Sequence, residues 1–152
     1  VRAVLAERGD DPALASSTAA QLQQALDAGA NSPLSAIMTA LARPTRIMRG
    51  KPVDAGCKVD AALFEHKEEQ RLFDAYQATM QQLQQGEQQG SRHSVKQWLA
   101  AVQPLVAPID AFFDKVFVMC DDEKVRDNRL ALLRDVAAIT KGFVDLSQLP
   151  GF

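Results

Sequence analysis

A chain of 152 residues with 47% hydrophobic and 24% charged residues is long enough for one domain with a sizeable core, and its composition is neither that of a disordered chain nor that of a membrane-embedded one. A net charge of −2 and a pI near 5.7 exclude a generic polyanion binder, which needs massed Lys and Arg, so any nucleic-acid contact must be a local patch. Cys57 and Cys120 have no second Cys or His at ligand spacing and read as reduced thiols; the apolar runs are too short for a span, and a cytoplasmic location is the expectation.

Val1, Val4 and Leu5 give the first segment an apolar face with no cap ahead of it, as expected for the end of a helix from a longer protein. Gly9 then stops that helix, Asp11 can cap the next and Pro12 suits its first turn. This second helix runs to about Ala28 with Leu14, Leu22 and Leu26 apolar, and Gly29 ends it. Residues 1–30 are expected to be N-terminal helices, the tail of an upstream region, before a helical domain over 31–152.

Ser32 and Pro33 repeat the cap-and-start signal. The third helix has Leu34, Ile37, Met38 and Leu41 on its core side, and Pro44 is expected to end or kink it, because proline lacks the N–H and crowds the preceding turn. Gly50 to Cys57 reads as a surface loop. A long fourth helix is predicted from about Asp60 to Gln85, with Leu63, Phe64, Leu72, Phe73, Tyr76, Met80 and Leu83 near one face and Glu65, Glu68 and Glu69 opposite. Asp60 to Gly90 holds six acids against two bases, a poor surface for a phosphate backbone. The Gln-rich run 81–89 reads as a fraying helix end.

Ser91 to Val102 makes a short helix carrying Trp98, ending before Pro104. From Pro108 a helix with Ile109, Phe112, Phe113, Val116, Phe117 and Cys120 at helical spacing is expected, then an acidic turn. Asp121 or Asp122 caps the next helix, whose stripe is Val125, Leu132, Val136, Ile139 and Phe143. With no alternating strand-type run, the fold class is all-α, a helical bundle of about six helices.

Catalytic constellations are missing: there is no phosphate-binding Gly-rich loop, and neither His66 nor His93 has a ligand partner at helical spacing. The strongest local charge contrast is R-P-T-R-I-M-R-G-K, four bases and no acid. Within it Arg43, Arg46 and Arg49 drift only about 60° per step on a helix, so they stay on one side, and Lys51 follows them in the sequence. Such arginines can fork onto phosphates or stack on unpaired bases; the alternative is a solvated basic face. Arg126, Asn128 and Arg129 form a second candidate. Arg126 and Asn128 are expected to point outward, with the Asn amide able to read a base edge. Arg129 falls on the buried stripe, where a salt bridge to Asp110 or Asp114 competes with a ligand contact.

The run D-A-F-F-D-K-V-F-V-M-C-D-D-E-K-V-R-D-N-R-L-A-L-L, Asp110 to Leu133, resembles the C-terminal end of the β subunit of bacterial two-subunit glycyl-tRNA synthetase, as does the ending V-D-L-S-Q-L. Weaker likeness extends upstream through V-R-A-V-L-A-E-R, T-R-I and V-D-A-A-L-F. Arg129 to Gly142 also resembles the last helix of arginyl-tRNA synthetases. Pro44-Thr45 departs from the family, where an Asn followed by basic residues is expected.

The resemblance implies an all-helical anticodon-binding domain that holds the anticodon stem-loop of glycine tRNA, within the remainder of the synthetase and alongside its catalytic α subunit. That subunit would use ATP to activate glycine, leaving this domain with no cofactor, no metal, no catalytic residue and no DNA or membrane partner. RNA contact is expected from Arg43, Arg46, Arg49, Lys51, Arg126, Asn128 and Arg129. A helical module that docks protein partners and touches no RNA is the alternative from a different class.

Overall fold

A computed structural model describes residues 1–50, 56–88, 94–141 and 143–149. Seven α-helices follow one another with short 3-10 turns, and no strand occurs among the described residues. They are α1 (Arg2–Arg8), α2 (Pro12–Asp27), α3 (Pro33–Gly50), α4 (Lys67–Gln88), α5 (Val95–Val102), α6 (Val106–Lys115) and α7 (Glu123–Ala137). The helix-rich chain is the all-α bundle expected.

Local chemistry explains the starts. The Asp11 carboxylate accepts from the Leu14 N–H at 3.1 Å with Pro12 in the first turn, and the Ser32 hydroxyl accepts from the Ser35 N–H at 3.2 Å. Ser94 and Gln97 exchange bonds in a capping box, and Asp122 accepts from the N–H groups of Lys124 and Val125. Gly29 closes α2 at a φ of +87°, a left-handed position that a side chain would strain.

α3 packs against α2, α5, α6 and α7, and α4 lies against α5 and α6. The core is continuous: Ile37, Leu41, Leu72, Trp98, Leu105, Ile109, Phe112, Leu132 and Val136 are sealed from solvent. Trp98 and Phe143 stack with their rings 4° from parallel and 4.7 Å between centroids, fixing the tail against α5. The tail also reaches the first helix, where the Asp145 N–H donates to the Ala3 carbonyl at 2.7 Å. α1 therefore buries Ala3 and Val4, while Leu5, expected on the apolar face, is half exposed.

One alternative is decided and three expectations change. Of ending or continuing past Pro44, α3 continues to Gly50; the proline is buried within the helix and the Thr45 hydroxyl donates back to the Leu41 carbonyl at 2.8 Å. The fourth helix begins at Lys67 rather than Asp60, after a separate 3-10 turn over Ala61–Leu63, and it carries the Gln-rich run in helical form to Gln88. α6 stops at Lys115, four residues after Ala111 and well short of Cys120, because Val116 takes an extended conformation with Val116 and Val118 seated in the core. The last helix ends at Ala137 and passes into a 3-10 turn over Ala138–Thr140 before Phe143. No described helix is long and apolar enough to cross a membrane.

Candidate nucleic-acid interface

The two groups of candidate residues meet opposite fates. α7 is buried along much of its circumference, Val125, Asn128 to Leu133 and Val136 all being inside, so Asn128 and Arg129 on it face the interior. Arg129 is 2% exposed. Its Nε donates to Glu69 Oε1 at 2.9 Å, its Nη2 to Glu65 Oε2 at 2.8 Å and to Glu69 Oε2 at 3.4 Å, and its Nη1 to the Phe117 carbonyl at 3.0 Å. The partners are thus Glu65 and Glu69, not Asp110 or Asp114. Burial would lower the guanidinium pKa, but hydrogen bonds and charge from Glu69, with smaller contributions from Cys120 and Glu65, outweigh it and raise it, so Arg129 is always cationic.

Glu69 is wholly buried, not on an exposed acidic face. It sits at the third position of α4 and its Oε2 accepts from the N–H groups of Glu65 and His66 at 2.9 and 2.8 Å. One carboxylate therefore caps α4 and neutralises Arg129. This is why the helix starts where it does.

Asn128 is also 2% exposed, contrary to the outward position expected of it. Its Oδ1 accepts from the Asp60 N–H at 2.7 Å and its Nδ2 donates to the Asp60 carbonyl at 2.9 Å. The paired donor and acceptor that could read a base edge instead read a peptide of this chain. Arg134 does similar work, its Nη2 donating to the Cys57 carbonyl at 2.7 Å. Both anchor the segment that leads into α4.

The exposed set is different. Arg43, Arg46 and Arg49 all lie at the surface of α3, spaced every third residue on one unbroken helix. The Arg43 guanidinium sits 5.2 Å from the centre of the Phe113 ring and 3.9 Å from the Asp110 carboxylate, with its side chain half exposed. An ion pair this long and solvated contributes little and leaves the guanidinium available. Arg49 lies close enough to Asp145 to help lower the carboxyl's pKa, behind the larger effect of the Ser147 hydroxyl bond. Arg126 is partly exposed on the first turns of α7, its Nη1 3.5 Å from the Cys120 carbonyl. Lys51 and His93 lie outside the described residues.

One exposed residue was absent from the sequence-derived set. Phe117 is 72% exposed on the α6–α7 connection, between buried Val116 and Val118. The V-F-V-M alternation carried that signal, but the same residues also fit helical spacing. Among the described residues no group of three or more His, Cys, Asp and Glu is placed to hold a metal ion.

Residues 37–146 match the family model described as the DALR anticodon binding domain. Over all 152 residues the chain is 42% identical to a chloroplastic/mitochondrial glycine–tRNA ligase of Arabidopsis thaliana, covering 13% of that protein. It is 43% identical over 112 residues to a glycine–tRNA ligase beta subunit of Desulforudis audaxviator, with 74% of this chain and 15% of the relative covered. A Bacillus subtilis glycine–tRNA ligase beta subunit is 39% identical over 87 residues, 57% of this chain and 12% of that one. The chain thus spans about one seventh of the length of the curated relatives it matches.

Proposed function

The chain belongs to the DALR anticodon-binding domain family, and from that premise we propose that it holds the anticodon stem-loop of glycine tRNA as part of a glycine–tRNA ligase. The observation that carries this reading is the row of Arg43, Arg46 and Arg49 exposed on α3 with no acid between Arg43 and Gly50. Guanidinium groups can fork onto phosphates and lie against unstacked bases, which is how single-stranded RNA loops are held without a large net charge. Arg126, and Lys51 beside the row in sequence, extend the cationic set. Asn128 and Arg129 serve it indirectly, by fixing α7 against the start of α4.

Glycine activation with ATP falls, in this reading, to a catalytic α subunit elsewhere in the ligase, in the cytoplasm. The domain contributes position and tRNA selection rather than chemistry. The test is binding of a fluorescent glycine anticodon stem-loop to the full ligase carrying this domain, beside a stem-loop with an unrelated anticodon. Tighter, salt-sensitive binding of the glycine stem-loop is expected. Equal affinity for the two would remove the specificity claim.

A further inference from the structure

We propose that Phe117 is a stacking platform for one unpaired base of the bound RNA, an inference that rests on the anticodon-binding reading above. Among the described residues Phe117 is the one exposed aromatic; Trp98, Phe112 and Phe143 are buried and the others partly so. The exposed ring leaves a flat apolar face open to a stacking partner.

The backbone beneath the ring is preorganised. The Phe117 carbonyl accepts from the buried Arg129 guanidinium at 3.0 Å, and Val116 and Val118 are plugged into the core on either side. A loop tip fixed in this way presents the ring without an ordering cost on binding. The tip follows α6 directly, which ends two residues before it, and Phe113 on that last turn lies under Arg43. On the other side, Arg126 approaches the Cys120 carbonyl.

Local charge selects the kind of contact. Asp114 to Asp127 holds five acids against three bases, so a phosphate is disfavoured here, whereas the face of a base carries no charge and stacks on an aromatic ring. Phosphates would be held by α3 and a splayed base by Phe117.

The test is stem-loop affinity of the full ligase across salt concentrations for Phe117→Ala, Phe117→Leu and Phe117→Trp. The Ala and Leu variants should bind about 5- to 100-fold more weakly, with the wild-type salt slope and melting temperature, and the Trp variant should keep affinity. Wild-type affinity in the Ala and Leu variants overturns the platform. If the Arg43, Arg46 and Arg49 triple Ala variant loses binding at the same time, the anticodon reading survives that failure; if it too binds normally, both fall. Changed sedimentation of the Phe117→Ala ligase with unchanged RNA affinity makes the ring a protein contact and overturns the proposal.

Discussion

The Arg129 guanidinium and the Glu69 carboxylate meet at 2.9 Å, out of reach of solvent, from positions on α7 and α4 that are 60 residues apart. The pair joins three parts of the bundle, since Arg129 also holds the Phe117 carbonyl and Glu69 also caps α4. Breaking it from one side leaves a buried charge. Arg129→Met is therefore expected to cost about 3–5 kcal/mol in chemical denaturation, and combining it with Glu69→Gln, which keeps the acceptor for the His66 N–H, should recover part of that loss. A double variant no more stable than Arg129→Met alone would show that the charge pairing is not what Arg129 supplies. Glu65, with its side chain more than half exposed, should matter less: Glu65→Gln is expected to cost under about 1 kcal/mol.

Asn128 makes a second long-range clamp, from α7 to the peptide of Asp60. Asn128→Ala removes both bonds to the segment leading into α4, at an expected cost of about 1–3 kcal/mol in thermal or chemical unfolding. Stem-loop affinity per folded molecule should stay at the wild-type value. A loss of RNA affinity without loss of stability would return Asn128 to the contact surface.

These two residues mark the limit of what the sequence discloses. Caps and starts such as Asp11-Pro12, Ser32-Pro33 and Asp122 are legible because their chemistry lies within three residues. Glu69 and Asn128 find their partners 60 and 68 positions away, so a polar residue that looked solvated is buried. The start of α4 was hidden for a related reason: Glu69 caps it at the third position, but His66 stands where the capping Ser or Thr of the usual pattern would be. Phe112, Phe113, Val116 and Phe117 fit a helical spacing and an alternating one at once, and only packing decides that the helix stops at Lys115. The arginine row was legible as three cations on one side of a helix, but the unbroken helix beneath it was not, because Pro44 reads locally as a break and α3 runs through it to Gly50.

Substituting that row gives the binding prediction. The triple variant Arg43→Ala, Arg46→Ala and Arg49→Ala should reduce the slope of log affinity against log salt by about 2, the effect of three lost phosphate contacts to a single strand. An unchanged slope would assign the row to solvation of α3. Arg43→Ala alone also uncovers the Phe113 ring, and is expected to cost about 0.5–1 kcal/mol of stability.

Acid should loosen the tail. The Ser147 hydroxyl at 2.6 Å holds the Asp145 carboxyl below its ordinary value of 3.8, with Arg49 helping. A lowered folded-state pKa means that the stabilisation is present above about pH 4 and is lost as pH falls through the folded value. Unfolding curves of wild type and Asp145→Asn should therefore converge below pH 4 and separate above it. Parallel curves across that range would contradict the assignment.

Chemical footprinting of glycine tRNA on the full ligase, with and without this domain, bears most directly on the central proposal. Anticodon-loop protection should be present with the domain and vanish on its deletion, while protection at the acceptor end persists. Anticodon protection that survives deletion of the domain would contradict it.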